Sequence, residues 1–385
     1  MKYFEQAYEH MERPFAWLDL DALDANINFI NQTATMPIRI ATKSIRSLPV
    51  LHYIMERLDT CVGVMTFSAS ETLYVLQHCD VHCLIGYPVM ERTQIRQLLQ
   101  YDNVTFMVDH VAQIMPLREE ARKANKVAHV CIDLNMSTDF KALYFGTKRS
   151  SLHNIATLNH FLPYLQHPHI MVDGVMGYEA QIAGVSTHPI NRVKGWMIRS
   201  LQRRAKKEVA NQRRLLVAHC KFYFPHIRFV NGGGTGSIHY TTKQKEVTEM
   251  TIGSAFYAPS LFDDFNALSL QPAAGFALRV TRHPEPNTVV AHGGGYIASG
   301  AIAQEKAPVF VTHGYHLLSL EGAGEVQTPI HIDKHAQPLQ IGDTVYMRHA
   351  KAGELCERFN TLHAVRGREY RGEMSTYRGD GQCFL

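Results

Sequence analysis

A lysine stands at the end of an apolar, β-branched run near the start of the chain. The run is IRIAT, Lys43 follows it, and Ser44 and Arg46 come close behind. A single lysine at a strand end is ordinarily a solvated charge. A lysine amine buried at the mouth of a scaffold can instead be a nucleophile that attacks a carbonyl carbon. The rest of the chain has to separate these two interpretations.

A glycine-rich segment much later in the chain has the chemistry of a phosphate site. It reads NGGGTGSIH (231–239), and Gly233 and Gly234 lack the Cβ atoms that keep an anion away from the backbone. Thr235 adds a hydroxyl donor. Successive backbone N–H groups that point into one concavity bind anions. The segment therefore predicts an anion site, although a tight loop without a ligand has the same composition.

A second segment with suitable donors follows soon after. It reads IGSAFY (252–257), where Gly253 and Ser254 offer further hydrogen-bond donors. Neither segment matches GxGxxG or GxxxxGK, which disfavours a dinucleotide site or a P-loop.

Eight short apolar runs alternate with segments of helical spacing, beginning with a helix predicted over 21–33. In parallel barrels the phosphate site is frequently built from the loops after strands seven and eight, where both glycine segments fall. An open doubly wound sheet would carry its glycine-rich loop after the first strand, where Lys43 stands instead. The pattern predicts an α/β fold with a (β/α)8 TIM-type barrel, whose strands lie within 36–42, 62–66, 82–87, 104–109, 129–134, 171–178, 227–231 and 249–255.

The character of the sequence changes from about Gly275. Short β-like runs follow one another among glycines, prolines and histidines, and no long helical pattern interrupts them. This pattern of short β-like runs predicts a C-terminal, mainly β domain. We place the barrel domain at 1–270 and the β domain at 271–385.

Composition narrows the class of protein. The chain has 385 residues, 45% hydrophobic and 19% charged, and its net charge of +4 is too small to argue for nucleic acid. The basic segment from Arg192 to Arg214 predicts the solvated face of one long helix, with an anion-binding surface as the alternative. No secretory signal and no apolar run of transmembrane length is visible. Seven dispersed cysteines without CxxC pairing indicate reduced thiols in a cytoplasmic protein.

One cofactor suits a lysine that faces a phosphate cradle. When a barrel closes, strand one lies beside strand eight, so Lys43 comes near both glycine segments. Pyridoxal phosphate carries a phosphate at one end and an aldehyde that forms an imine with a lysine amine at the other. We therefore hypothesise that Lys43 is the Schiff-base lysine. A non-catalytic carrier of this cofactor, and a barrel that binds another phosphorylated ligand with Lys43 as counter-ion, remain alternatives.

At this point the chain resembles the fold-type III pyridoxal phosphate enzymes. It is most similar to the branch that contains D-threonine aldolases, D-serine dehydratases and amino acid deaminase/aldolases, and alanine racemases are more distant relatives. The resemblance spans nearly the whole chain and is carried by WLDLDALDANI (17–27), RIATKS (39–44), LIGYP (84–88), GVMGYEAQ (174–181), NGGGTG (231–236) and DKHAQPLQIGDTVYMRHA (333–350).

The resemblance implies a barrel followed by a β domain, a homodimer with active sites near the subunit interface, and Lys43 as the imine lysine. It also implies a place for Tyr178 near the cofactor ring. The family usually shows an arginine just beyond the aspartate of strand five, but none follows Asp133 closely. Arg149 is the candidate replacement, and an ordinary loop arginine is the alternative. The phosphate ligands implied by the resemblance are Gly233, Gly234, Thr235, Gly253 and Ser254.

The metal and the reaction follow from the same resemblance. Aldolases and dehydratases of this branch hold a divalent ion with a His-x-Asp or His-x-Cys pair, which this chain lacks. His349, Glu354 and Cys356 are capable ligands at a different spacing, and Lys351 falls near the expected histidine, so the metal stays undecided. The resemblance of the tail favours a lyase acting on a β-hydroxy amino acid, with D configuration preferred, by aldol cleavage or by dehydration and deamination. An amino acid racemase is the alternative.

Overall fold

The computed structural model describes residues 2–140, 144–184, 192–265, 267–301 and 303–385. Its strands are β1 (Phe15–Asp19), β2 (Ile38–Ala41), β3 (Cys61–Thr66), β4 (Cys83–Ile85), β5 (Val104–Val108), β6 (Ala128–Asp133), β7 (Thr138–Asp139), β8 (Tyr144–Phe145), β9 (Ile170–Gly177), β10 (Phe229–Gly232), β11 (Glu249–Ile252), β12 (Ala274–Glu285), β13 (Thr288–His292), β14 (Val309–Phe310), β15 (Tyr315–Leu317), β16 (Gln327–Ile332), β17 (Thr344–Arg348), β18 (Thr361–Arg366) and β19 (Glu369–Ser375). Its α-helices are α1 (Lys2–Ala7), α2 (Leu20–Thr33), α3 (Leu48–Met55), α4 (Ala69–His78), α5 (Arg92–Leu98), α6 (Val111–Lys123), α7 (Ile155–Phe161), α8 (Ala180–Ala183), α9 (Arg192–Tyr223), α10 (Ile238–Thr241) and α11 (Ser254–Tyr257).

Two compact units divide the chain. The first comprises Met1–Ile30, Lys43–Leu58 and Ser254–Cys383, and the second comprises Asn31–Thr42, Asp59–Gly253 and Phe384–Leu385. The domain limits 1–270 and 271–385 stay a prediction.

The second unit contains a closed parallel barrel. Its strands follow the order β10, β11, β2, β3, β4, β5, β6 and β9. The strand β11 closes the ring because it pairs with β10 on one side and with β2 on the other. The predicted barrel is confirmed, and each of its strands lies within or overlaps one of the predicted apolar runs.

Alternation along the barrel strands separates two apolar clusters, because successive strand residues point to opposite faces. On β5, Phe106 and Val108 belong to the larger cluster, which also contains residues of the surrounding helices such as Ile114 and Leu158. The residue between them, Met107, packs instead with Leu84, Cys131, Met176 and Phe229 from neighbouring strands. Burial on both faces explains why the strands read as nearly continuous apolar runs.

Local signals set the helices of this unit. Ser68 precedes α4 and accepts a hydrogen bond from the Glu71 amide at 3.2 Å, while Glu71 accepts one from the Phe67 amide at 2.6 Å. Ser68 therefore caps the helix, while the Glu71 carboxylate reaches back to the amide of Phe67 rather than to that of Ser68, so the reciprocal capping box does not form. The basic segment from Arg192 onward forms the single helix α9, as predicted.

The first unit contains a nine-stranded sheet. Its main path runs β15, β16, β13, β12, β1, β18 and β19, with β17 on β12 and β14 on β17. The predicted mainly β domain is therefore confirmed. The strand β1 was not predicted: Trp17 pairs antiparallel with Gly275 and parallel with His363. Such a partner, more than two hundred residues away, leaves no local trace in the sequence.

Two further findings concern the whole of the described chain. All seven cysteines carry free thiols. Within the ranges given above, none of the helices combines the length and the apolar character needed to cross a bilayer.

A buried ion pair crosses the seam where β11 meets β2. Arg39 donates from Nε to Oε1 of Glu249 at 2.8 Å and from Nη2 to Oε2 at 3.0 Å, and both side chains are at most 6% exposed. Asn231 donates to the same carboxylate at 2.9 Å. His82 lies 2.9 Å from Arg39, and burial together with that positive charge lowers its pKa to about 4. The pair therefore joins the first and last barrel strands at their amino ends.

We predict that Glu249→Gln destabilises the protein by about 3–5 kcal/mol, because it leaves the Arg39 charge buried and unpaired. Chemical denaturation measures the change. The control is Glu56→Gln, which removes an exposed carboxylate 3.1 Å from Arg57 and should cost no more than about 1 kcal/mol. Equal losses for the two variants would contradict the role of burial.

Candidate functional site

The loop after β10 forms a cradle that side chains would fill. Gly233 has φ +78°, and a Cβ there would lie 2.7 Å from Cγ of Met250. Gly234 is extended, and a Cβ there would lie 3.2 Å from Cε2 of Tyr178. Glycine is therefore required at 233 by both conformation and space, and Gly234 brings the backbone close to the Tyr178 ring.

The hydrogen bonds of this loop differ from the simple anion nest that the sequence suggests. The Gly233 amide donates to Oε2 of Glu179 at 3.1 Å, and the Gly234 amide donates to Oγ of Ser237 at 3.1 Å. The amides of Gly233 and Gly234 thus hold the loop together, and these two glycines contribute chiefly through the backbone conformation.

Tyr178 follows β9 at the same end of the barrel. Burial, and next the negative charge of Glu179, raise its pKa to about 12, while Arg149 acts in the opposite direction. Its phenol therefore keeps its proton at physiological pH. A neutral hydroxyl beside a glycine loop can donate a hydrogen bond to a ligand.

Arg149 acts electrostatically on two strand ends. Its side chain is exposed, and its charge lowers the pKa of both Tyr178 and Asp133. Burial and the Asp109 carboxylate nevertheless raise the pKa of Asp133 to about 7. Asp133 ends β6 and Tyr178 follows β9, and these two strands are paired. In the sequence, Asp133 served only to locate the end of the fifth predicted strand. Nothing in the spacing of its neighbours predicts that its carboxyl holds a proton near neutral pH.

Lys43 lies in the 3-10 turn Thr42–Ser44 that follows β2. Its side chain is exposed, so the interpretation of Lys43 as an amine buried by the chain itself is wrong. The fold fixes its backbone instead. The Lys43 carbonyl accepts a hydrogen bond from Nε of Arg46 at 2.9 Å, and Nη1 of Arg46 lies 2.7 Å from Oε1 of Glu357. A Cβ at Gly353 would lie 2.0 Å from the same carbonyl oxygen. The backbone is therefore held in place while the side chain is exposed.

The second glycine segment follows β11. Gly253 is buried, and Ser254 begins α11 with its Oγ 3.5 Å from Oγ of Ser44. Because β10, β11 and β2 are consecutive in the barrel, the two glycine segments and Lys43 follow three neighbouring strands. By residue type, the glycines and hydroxyls suit a phosphate and the lysine amine suits an aldehyde.

The three candidate metal ligands do not converge. His349 is buried with both ring nitrogens unpartnered within the described chain, and burial, aided by Arg348, lowers its pKa to about 3. Glu354 accepts from the Ser299 amide at 2.9 Å and from Lys351 at 3.2 Å. The Cys356 thiol donates to the Ile45 carbonyl at 3.3 Å. The described residues hold no group of three or more histidine, cysteine or acidic side chains arranged for a metal ion.

Comparisons with known proteins agree with this fold. The family model described as alanine racemase, N-terminal domain, matches residues 18–259. No curated protein sequence matches the chain significantly.

Solved structures share the whole architecture at low sequence identity. D-threonine aldolase from Filomicrobium marinum is 16% identical with a TM-score of 0.81, over 96% of this chain and 95% of that one. D-threo-3-hydroxyaspartate dehydratase from Delftia sp. HT23 is 15% identical with a TM-score of 0.72, over 95% and 98%. Alanine racemase from Clostridium difficile 630 is 13% identical with a TM-score of 0.66, over 95% and 99%. These likenesses establish the fold.

Asp133 gives a prediction about pH. Its folded pKa of about 7 exceeds the value of about 4 for an unfolded chain, so the folded state binds this proton more tightly. The free energy of unfolding should therefore fall as pH rises from about 4 to about 7, by about 1.4 kcal/mol for each unit that separates the two pKa values. Asp133→Asn should flatten this slope in denaturation series, whereas Asp102→Asn, at a side chain 91% exposed, should leave it. Parallel slopes in wild type and Asp133→Asn would contradict the assignment.

Proposed function

This chain belongs to the family of the alanine racemase N-terminal domain, and from that membership we propose that it is a pyridoxal phosphate dependent lyase. Its substrate is a β-hydroxy amino acid, with D configuration preferred. The reaction is either cleavage of the Cα–Cβ bond or loss of the β-hydroxyl followed by release of ammonia. An amino acid racemase is the second candidate, because the matching family model is itself named for alanine racemases.

One observation carries the proposal. Three consecutive barrel strands, β10, β11 and β2, are followed by the glycine cradle, by Gly253 and Ser254, and by Lys43. Phosphate sites of such barrels are frequently built by the last two of the eight loops. In this chain the segment that follows the next strand around the ring supplies Lys43, whose backbone is fixed and whose side chain is exposed.

Particular residues would hold the cofactor. The Nζ of Lys43 would take the aldehyde end, and Gly233, Gly234, Thr235, Gly253 and Ser254 would surround the phosphate. Tyr178 and Arg149 would lie toward the ring. When bound, pyridoxal phosphate supplies an aldehyde that condenses with an amine, releasing water, and a ring that withdraws electrons from the substrate Cα.

Three side chains of this protein have different roles in proton transfer and hydrogen bonding. Lys43 Nζ is an amine that can accept a proton from Cα, as general base catalysis requires. The Asp133 carboxyl, with its pKa raised to about 7 by burial and by Asp109, can carry a proton near neutral pH. The Tyr178 hydroxyl remains protonated and serves as a hydrogen-bond donor.

The resemblance of the C-terminal segment favours lyase chemistry over racemisation. The segment 333–350 resembles the C-terminal domain of the aldolase and dehydratase branch. A racemase also needs a second acid on the opposite face of Cα. The proposal includes the homodimer and the cytoplasmic location that the sequence suggests, and analytical ultracentrifugation tests the former. Because His349, Glu354 and Cys356 do not converge among the described residues, no metal ion is assigned a role in this reaction.

We predict that the purified protein, incubated with pyridoxal phosphate, develops a visible absorption band that Lys43→Ala abolishes. The band requires a covalent bond between the cofactor and a lysine amine. Lys207→Ala, at an exposed lysine of α9, should keep the band. A band of normal intensity in Lys43→Ala would contradict the role of Lys43.

A substrate panel separates the reactions. We expect D-threonine or D-serine, rather than the L enantiomers, to be consumed. Glycine plus an aldehyde identifies an aldolase, and a keto acid plus ammonia identifies a dehydratase. Interconversion of enantiomers without other products would reject the lyase in favour of the racemase. Each assay is run with and without a chelator, because that comparison decides whether a divalent ion takes part.

A further inference from the structure

A second buried ion pair lies directly against the glycine cradle. Glu179 follows Tyr178, and Arg213 comes from the helix α9 that links β9 to β10. The Nη2 of Arg213 lies 2.6 Å from Oε2 of Glu179, and both side chains are 0% exposed. Removing two charges from water costs several kcal/mol for each ion, so a fully buried pair is weak evidence of a stabilising device. Its place in the fold calls for another explanation.

The Glu179 carboxylate fastens the cradle at several points. Its Oε2 accepts from the Gly233 amide at 3.1 Å, and its Oε1 accepts from Ser237 Oγ at 3.0 Å and from Thr241 Oγ1. Ser237 Oγ in turn accepts from the Gly234 amide at 3.1 Å. One carboxylate, directly or through Ser237, thus fixes the conformation of the loop from its first glycine to the helix α10.

Arg213 supplies positive charge behind the same loop. A Cβ at Gly177 would lie 3.4 Å from Nε of Arg213, and one at Gly232 would lie 3.5 Å from Nη1. The guanidinium therefore packs against the carboxyl ends of β9 and β10. Its Nε and Nη1 are buried and have no hydrogen-bond partner within the described chain. Buried donors without partners destabilise a protein and are rare in native structures. Their presence on Arg213 therefore points to a functional reason for a buried arginine at this position.

We propose that Glu179 and Arg213 are positioning residues for the phosphate of the ligand. This inference rests on the proposed function and deepens it. Glu179 holds the loop in the shape that accepts a phosphate, while Arg213 neutralises the carboxylate, so that no uncompensated negative charge lies behind the loop. Neither residue is required to touch the phosphate.

The proposal depends on charge and on hydrogen-bond direction. Within the described part of the chain, the four groups hydrogen-bonded to the Glu179 carboxylate are all donors: two hydroxyls, one amide and a guanidinium. A carboxylate accepts from all of them. Glu179→Gln keeps the shape but turns an NH2 group toward donors, so at least one loop contact must break. Arg213→Met keeps apolar volume but leaves the carboxylate buried without its counter-ion.

The experiment compares two forms of the vitamer that differ only in the phosphate. Dissociation constants for pyridoxal phosphate and for pyridoxal are measured by absorbance titration of wild type, Glu179→Gln and Arg213→Met. We expect the variants to lose roughly 10- to 100-fold in affinity for pyridoxal phosphate, as the loss of one or two charge-assisted hydrogen bonds implies, while affinity for pyridoxal stays within about twofold. A merely structural role would weaken both ligands together.

Glu249→Gln is the matched control. It disrupts the other buried glutamate–arginine pair, at the amino end of the barrel, and should destabilise the protein without changing the ratio of the two constants. If Glu179→Gln and Arg213→Met do not fold, Ser237→Ala and Thr241→Val, which each remove one hydrogen bond to Glu179, should show the same loss in smaller degree.

The outcomes separate the two proposals. Wild type that takes up pyridoxal phosphate, with folded variants that keep the wild-type ratio, overturns the positioning role alone. Wild type that takes up neither form overturns the proposed function and this inference with it. A selective loss for the phosphorylated form supports both.

Discussion

The pairing of β11 with β2 is the constraint on which the barrel depends. It is the closure between the last and the first barrel strand, and the bidentate contact between Arg39 and Glu249 crosses it away from water. Register follows from this pairing, since Thr251 stands opposite Arg39 and Ile252 opposite Ile40. Everything proposed for the carboxyl end, from Lys43 to the glycine segments, presupposes that these strands are neighbours.

Two buried glutamate–arginine pairs occupy opposite ends of the same barrel. The pair at the amino end joins neighbouring strands, and its carboxylate also accepts from Asn231 of β10, as expected of a group that serves stability. The pair at the carboxyl end, Glu179 with Arg213, binds a loop rather than a neighbouring strand. A buried glutamate–arginine pair thus helps to close the barrel at its amino end, and a second such pair shapes the loop of the candidate site at its carboxyl end.

The sequence predicted the elements better than it predicted their contacts. Strands that are buried on both faces appear in the sequence as nearly continuous apolar runs, so the barrel could be predicted. The predicted resemblance to fold-type III pyridoxal phosphate enzymes is also confirmed. The strand β1 was missed because its partners are distant in sequence. Lys43 was expected to be buried or solvated, and only the structure shows an exposed side chain on a fixed backbone. Glu179 lies within GVMGYEAQ, but an acidic residue beside a tyrosine indicates no role until the loop that it holds is known.

Reduction of the pyridoxal phosphate complex with borohydride, followed by peptide mapping, tests the central claim most directly. The account predicts that one pyridoxyl group becomes fixed on the peptide that contains Lys43. A group fixed on another lysine, or no fixed group in a preparation that has been given the cofactor, would contradict it.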